Sequence, residues 1–327
     1  MTVRGRRLAA ILILAALPGW APQSALAPAG DEAERIALLS WILFVGATAI
    51  LLIVIAALAL AIRGAEPVRR VIGSEGAIRW GGIVFPSVVL TLLLGYGLWL
   101  MREAIAAQTT PALRIAVTGE QWWWRIDYQR DGAAPVREAN EIRIPVGREI
   151  DFALRSNDVI HSFWVPSLGG KLDMIPGRTN TLRLKAERPG IYRGQCAEYC
   201  GGPHALMALE IVALPEAEFQ TWLAAADARN ESAEPKVAAG EELFLSAGCG
   251  ACHAVRGTQA AGMVGPDLSR VGGRRFLAAA TLRNTAENLA GFITDPQVAK
   301  PGALMPPFAI FTSEEMDALT AYLGSLR

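Results

Sequence analysis

Charge is missing from two long stretches near the start of this chain, and histidine and cysteine are scarce along all of it. Of 327 residues, three are histidine and four are cysteine. Aromatic residues make up 7%, and the formal net charge at neutral pH is zero. With no surplus of positive charge and no basic cluster interleaved with aromatics, nucleic acid is excluded as the expected partner. No internal repeat or low-complexity tract occurs, which argues against a solenoid. What the chain has in plenty is apolar surface: 52% of its residues are hydrophobic and its mean hydropathy is +0.29. At roughly 100–200 residues per domain, the length predicts two or three folded units, with membrane segments among them.

The two stretches without charge run for 27 residues between Arg35 and Arg63 and for 22 between Arg79 and Arg102. About 20 apolar residues cross a bilayer core as a helix, so membrane helices are expected at about 36–62 and 80–101. The segment joining them carries Arg63, Arg69, Arg70 and Arg79 against Glu66 and Glu75. Positive loops stay in the cytoplasm, so both ends of the mature chain are expected outside, with all four cysteines in the oxidising compartment. A third apolar run follows Arg4, Arg6 and Arg7, meets Pro18, and ends near Ala25-Leu26-Ala27. Residues 1–27 therefore read as a secretory signal peptide. Without a cysteine there, a lipoprotein anchor is excluded.

Beyond the helices the texture changes. Short β-prone runs (Leu113–Thr118, Trp122–Tyr128, Glu149–Leu154, Thr181–Leu184, Leu206–Val212) are separated by Gly, Pro and Asn. This spacing predicts an antiparallel sandwich or barrel over residues 111–224, closed by a helix after Pro215 with Phe219 and Trp222 as its apolar positions. Residues 225–236, polar and alanine-rich, read as a linker. Residues 237–327 are helical in character. Leu243 and Phe244 lie on one short helix. Thr312-Ser313-Glu314-Glu315 is the pattern of a capping box before a terminal helix that buries Met316, Leu319 and Leu323.

The scarce ligand residues are not scattered. Cys196, Cys200, His204 and Met207 fall in CAEYCGGPHALM, leaving His161 as the one possible distant imidazole partner. Thiolate, thioether and imidazole together favour copper. One thiolate with two histidines would make a mononuclear site; the second thiolate also permits two sulfurs bridging two ions, one histidine for each. A Cys196–Cys200 disulfide, a zinc site, and Met207 as simple core filling are the competing readings. Cys249, Cys252 and His253 form C-x-x-C-H, the haem c attachment pattern, with a metal or redox C-x-x-C as its competitor. Both sulfurs would lie along one porphyrin edge with the imidazole beneath the iron. Met305, in the proline-stiffened Gly302-Ala303-Leu304-Met305-Pro306-Pro307, is the expected sixth ligand. Met263 lies too near the motif to cross the macrocycle, and Met316 sits on a helix face. An axial Met opposite His raises the haem potential.

The segment from Ile36 to about Leu223 resembles cytochrome c oxidase subunit II. CAEYCGGPHALM is similar to the family's dinuclear copper (CuA) loop, and DVIHSFWVPSLGGKLDMIPGR and GEQWWWRIDY also match family patterns. The resemblance implies two membrane helices before an all-β, Greek-key cupredoxin-like domain. It implies Cys196 and Cys200 as bridging ligands, His161, His204 and Met207 as side-chain ligands, and Glu198 as a backbone carbonyl ligand. It further implies a magnesium ion at the Glu198 carboxylate, shared with subunit I, and Trp122 as the residue that takes electrons from soluble cytochrome c. Core packing is the competing account of Trp122, Trp123 and Trp124. Family members of the best-known type place a glutamate three residues before a Trp-Thr pair as a proton entrance. Here Ala77 and Gly81 flank Trp80, and Glu75 is out of register.

Val237 to Leu326 resembles an all-α class I cytochrome c, in which the Pro266 carbonyl of Gly265-Pro266-Asp267-Leu268 orients the proximal histidine. The whole therefore reads as a multi-domain membrane protein: subunit II of a bacterial haem–copper oxidase with a fused cytochrome c. It would reside in the bacterial inner membrane, in contact with lipid, with its copper and haem domains on the outer face. Expected partners are subunits I and III and an electron donor, cytochrome c or the bc1 complex. The copper subunit of a nitric oxide reductase and a copper-delivery assembly factor remain the alternatives.

Overall fold

The computed structural model describes residues 23–106, 113–130, 132–227 and 234–327. Most of the expected leader, residues 1–27, lies outside the described residues. The chain divides into two compact units, Ala37–Pro111 and a larger one comprising Met1–Ile36 with Ala112–Arg327.

Two helices, the first of them begun in the larger unit and continued in the smaller, are long and apolar enough to cross a membrane. The first, α1, is Asp31–Arg63, about 50 Å of helix at 1.5 Å per residue. It starts five residues before the apolar run because Asp31, Glu32 and Glu34 occupy its first turn, where the unpaired N–H groups favour negative charge. Helices α2 (Glu66–Ile72) and α3 (Glu75–Arg79) fill the connecting loop, and the Ser74 hydroxyl caps α3 by accepting from the Ala77 N–H. A π-turn at Trp80–Val84 then leads into α4, Phe85–Ala106. Pro86 has no N–H to return one turn back, and Gly81-Gly82 lets the backbone widen there.

The larger unit opens with a sandwich of two five-stranded sheets. Strands β1 (Leu113–Glu120), β2 (Trp123–Arg130), β3 (Ala133–Ala139), β4 (Glu141–Pro145) and β5 (Ile150–Ser156) are followed by β6 (His161–Trp164), β7 (Lys171–Met174), β8 (Asn180–Leu184), β9 (Gly190–Cys196) and β10 (Ala208–Leu214). One sheet runs β3-β2-β1-β5-β8 and the other β4-β10-β9-β6-β7. The expectation of a purely antiparallel arrangement is corrected: β1 pairs with β5, and β10 with β4, in parallel. A parallel pair needs a crossover, which the chain makes by passing through the opposite sheet between the paired strands. The inner faces bury Trp124, Tyr128, Phe152 and Phe163 with a set of isoleucines. Strand β6 shows no alternation because three of its four residues are buried and the fourth half-buried. Helix α5 (Glu216–Ala224) closes the sandwich with Phe219 buried.

The helical domain is built on α6 (Pro235–Ser246), α7 (Ala286–Thr294), α8 (Pro296–Ala299) and α9 (Ser313–Ser325). A short hairpin, β11 (Phe276–Leu277) with β12 (Leu282–Arg283), and a single β-bridge between Ala254 and Ala261 are added to it. Thr312 and Glu315 form the expected reciprocal capping box, and Leu319 and Leu323 are buried. Replacing Thr312 with Ala leaves the Glu315 N–H of α9 without its acceptor. It should cost about 1 kcal/mol, read as a lowered denaturation midpoint of the helical domain; an unchanged midpoint would contradict the cap's role.

Candidate metal centres

Four strand ends meet at one rim of the sandwich. β6 starts with His161, β9 ends with Cys196, β10 starts just after Met207, and β1 ends near Gly119. Pairing of Phe163 with Cys196 and of Ala208 with Gln195 sets these ends level. Gly119 is required there: a Cβ at this position would stand 2.7 Å from the His161 ring.

The β9–β10 loop folds its sulfurs inward. Cys196 and Cys200 are buried and unbonded, with Sγ atoms 3.8 Å apart, far beyond the ~2.05 Å of a disulfide. The His161 Nδ1 lies 3.8 Å from the Cys196 sulfur, and the His204 Nδ1 lies 3.4 Å from that of Cys200. The Glu198 carbonyl is 3.2 Å from the Cys196 sulfur, and the Met207 Sδ is 3.8 Å from that of Cys200. Two ligands each about 2.3 Å from one tetrahedral metal stand about 3.8 Å apart. The spacing and the donor set therefore fit soft metal, copper above all, held among the two thiolates, the two imidazoles and the thioether. His161, Cys196 and Cys200 also place their ligand atoms within 4.8 Å of one another.

The hydrogen bond from Cys200, helped by His161, lowers the Cys196 pKa, and that bond in turn raises the pKa of Cys200. Burial works against a charged His161, yet its bonds to Cys196 and Asp158 keep its pKa above the ordinary value. Asp158 was not singled out in the sequence, although it stands three residues before His161. Its Oδ1 lies 2.7 Å from the His161 Nε2. Burial opposes its ionisation, but the bonds from His161 and from the Gln121 and Val159 amides hold its pKa below the usual range. A carboxylate that accepts a hydrogen bond from the Nε2–H leaves Nδ1 free to face a metal.

In the helical domain, a cavity of about 270 Å³ is lined by Cys249, Cys252, His253 and Met305. The His253 Nδ1 donates to the Pro266 carbonyl at 2.7 Å, which leaves Nε2 free. Burial lowers the His253 pKa and favours the neutral, ligating form. Met263 instead faces away and accepts from Arg137 through its sulfur at 3.2 Å; Met316 packs in the helical core. Neither lines the cavity. An apolar chamber with two thiols and an imidazole at one side and a thioether in its wall fits haem c.

The tryptophan triplet divides its work. Trp124 is buried against His161 and Phe163. Trp123 lies beneath the Arg125 guanidinium. Trp122 donates its indole N–H to the Cys200 carbonyl at 3.0 Å and also forms part of the cavity wall of the helical domain. Lys300, another residue the sequence did not flag, is buried in that wall and donates to the Trp122 and Ala278 carbonyls. Burial pushes its ammonium down to about 7.

A metal-gathering β-sandwich followed by a C-x-x-C-H helical domain defines the class: a cupredoxin-type domain joined to a c-type cytochrome domain, behind a pair of apolar helices. Comparison with known proteins narrows it. The model for the periplasmic domain of cytochrome c oxidase subunit II matches residues 134–214, and the model for cytochrome c matches residues 237–327. Cytochrome c oxidase subunit 2 of Alkalihalophilus pseudofirmus is 42% identical over 214 residues, 65% of this chain and 61% of that protein. The Bacillus subtilis subunit 2 is 32% identical over 256 residues, 75% of this chain and 70% of that protein. The crystal structure of the periplasmic domain of subunit II from Bradyrhizobium japonicum is 34% identical, covering 36% of this chain and 96% of that one, with a TM-score of 0.34. This chain belongs to the cytochrome c oxidase subunit 2 family. It spans 61% and 62% of the length of the Alkalihalophilus and Bacillus PS3 relatives.

Gly265 backs the second histidine as Gly119 backs the first: a Cβ there would stand 2.4 Å from the His253 ring. Gly265→Ala should therefore cost about 1–3 kcal/mol as the imidazole is driven off the Pro266 carbonyl. Denaturation of the metal-free chain reads this, and a change within experimental error would refute the close approach.

Proposed function

We propose that this chain is the electron-transfer subunit of a bacterial aerobic haem–copper oxidase, seated in the inner membrane beside subunits I and III. Its copper and haem domains lie on the outer face, where cytochrome c or the bc1 complex supplies electrons. Bound haem c and a bound copper pair supply the one-electron chemistry; oxygen is reduced in subunit I. The observation that carries this reading is the pair of unbonded sulfurs 3.8 Å apart, each beside its own imidazole.

Each residue has a stated part. Cys196, Cys200, His161, His204, Met207 and the Glu198 carbonyl would hold the copper, which would supply one-electron redox chemistry there. Asp158 orients His161. Cys249 and Cys252 would anchor the haem, with His253, held by the Pro266 carbonyl, and Met305 as the residues that would bind its iron. Trp122 joins the two sites, its ring in the cavity wall and its N–H on Cys200. The Glu198 side chain is exposed, available to a magnesium ion shared with subunit I, and the neighbouring Tyr199 is 76% exposed, as an interface residue would be before its partner is added.

Anaerobic titration tests the copper assignment. Two copper ions per chain are expected, with the multiline hyperfine pattern of an electron shared between them; one copper per chain would favour a delivery factor instead. Asp158→Asn should weaken copper binding about 10–100-fold, and an unchanged affinity would remove Asp158 from the site. Consumption of nitric oxide but not oxygen by the assembled complex would overturn the oxidase reading.

A further inference from the structure

The contact between the sandwich and the helical domain is built with buried charge. Glu138, on β3, is 2% exposed. Its two carboxylate oxygens each take one arginine of the helical domain, Arg270 at 3.2 Å and Arg274 at 3.2 Å. Arg274 is itself buried, and Arg270 also stacks over Trp222 of α5 at 4.8 Å. Beside this pair, Arg275 donates from its backbone N–H to Glu141 at 2.8 Å and from its side chain to Glu210 at 2.9 Å. The sandwich thus contributes three carboxylates and the helical domain three consecutive-region guanidiniums. A carboxylate buried this deeply needs compensation, and both of its ion-pair partners come from the other domain.

A second feature lies along the same seam. Ala278, Ala279 and Ala280, at the tip of the β11–β12 hairpin, all have positive φ, 50°, 57° and 59°. Such a run is costly for residues with a Cβ and persists where surrounding contacts impose it. Here the contacts come from the sandwich: the Ala208 N–H donates to the Ala279 carbonyl at 3.2 Å, and Arg193 donates to the Ala280 carbonyl at 3.0 Å. Arg143 adds a bond to the Gly273 carbonyl at 3.0 Å. Ala208 directly follows Met207, so the seam reaches the copper loop itself.

We propose that Glu138, with Arg270 and Arg274, is a positioning clamp that keeps the helical domain permanently docked with its haem cavity on Trp122. The fused domain is then a fixed donor and not a tethered one that swings, and Trp122 is closed to external cytochrome c. An external donor reduces the haem, never the copper pair directly. A tether alone would raise the local donor concentration but leave the orientation to chance encounters. Buried, oppositely charged groups set a single register, and truncating one partner leaves the others uncompensated.

The proposal rests on the haem and copper reading above, so its test keeps the two apart. In the assembled complex holding the full chain, hydrogen exchange is followed at residues 206–210 and 278–281, and haem-to-copper transfer is timed after photoreduction. In the unmodified chain both segments should be protected, and the transfer rate should not fall as viscosity or ionic strength rises. Glu138→Gln should raise exchange in both segments and slow transfer by at least about tenfold, with the haem and copper spectra unchanged. Free exchange in the unmodified chain, a transfer rate that falls with viscosity, or a Glu138→Gln variant that stays protected would each overturn the clamp. If Glu138→Gln does not fold, the measurements on the unmodified chain decide alone. A chain that remains protected but binds no copper pair would overturn the function and leave the clamp standing.

Discussion

Two sulfur atoms must be held close without bonding to each other, and the sandwich is arranged around that requirement. A loop of a few residues could bring Cys196 and Cys200 together in many ways, most of them ending in a disulfide. The sandwich removes those ways by fixing both ends of the loop, Cys196 at the end of β9 and Ala208 at the start of β10, in one antiparallel ladder. The Met207 carbonyl accepts from the Cys196 N–H at 2.9 Å, closing the loop at its base. His161 arrives from the adjacent strand, and its freedom to do so depends on Gly119 having no side chain. The positions of these sulfur and imidazole groups are thus imposed by strand pairing, while the energy that holds the strands comes from the apolar layer around Trp124, Phe152 and Phe163.

The same economy appears in the helical domain. His253 is aimed by a single carbonyl, that of Pro266, and the cavity around it is apolar. The two centres meet at the β1–β2 turn, where Gln121 and Trp122 both line the cavity and both donate to the Cys200 carbonyl. Trp122 sits at the turn between β1 and β2, where its ring can face one domain while its N–H reaches the loop of the other. Its neighbours on β2 are drawn to other tasks, Trp124 inward to the core and Trp123 beneath Arg125.

Much of this was legible because soft ligands are rare in the chain and because their spacing is short-range chemistry. Cys196, Cys200, His204 and Met207 lie in one loop, and Cys249, Cys252 and His253 in another, so their proximity needs no tertiary argument. The apolar helices were equally plain, since length and absence of charge suffice. The strands were read less well. Five of the ten, β3, β4, β6, β7 and β9, are not among the runs named from the sequence: they are short, carry proline or glycine, or are buried on both faces and lack alternation. Asp158 and Lys300 were missed for a different reason: their roles depend on which backbone or ring they meet, and nothing local signals that.

The sequence by itself determined the kinds of atoms available to a metal, the order of the domains and the segments able to enter a membrane, because these follow from composition and from contacts a few residues apart. Tertiary structure alone decided that His161 comes to the Cys196 sulfur, that Trp122 reaches the Cys200 carbonyl, and that Glu138 meets Arg270 and Arg274. Those contacts join residues more than thirty positions apart or in different domains, as His161 and Cys196 do across β6 and β9. Their formation rests on strand register and domain docking, where packing and the burial of charge choose one arrangement from many that the chain's local preferences would allow equally.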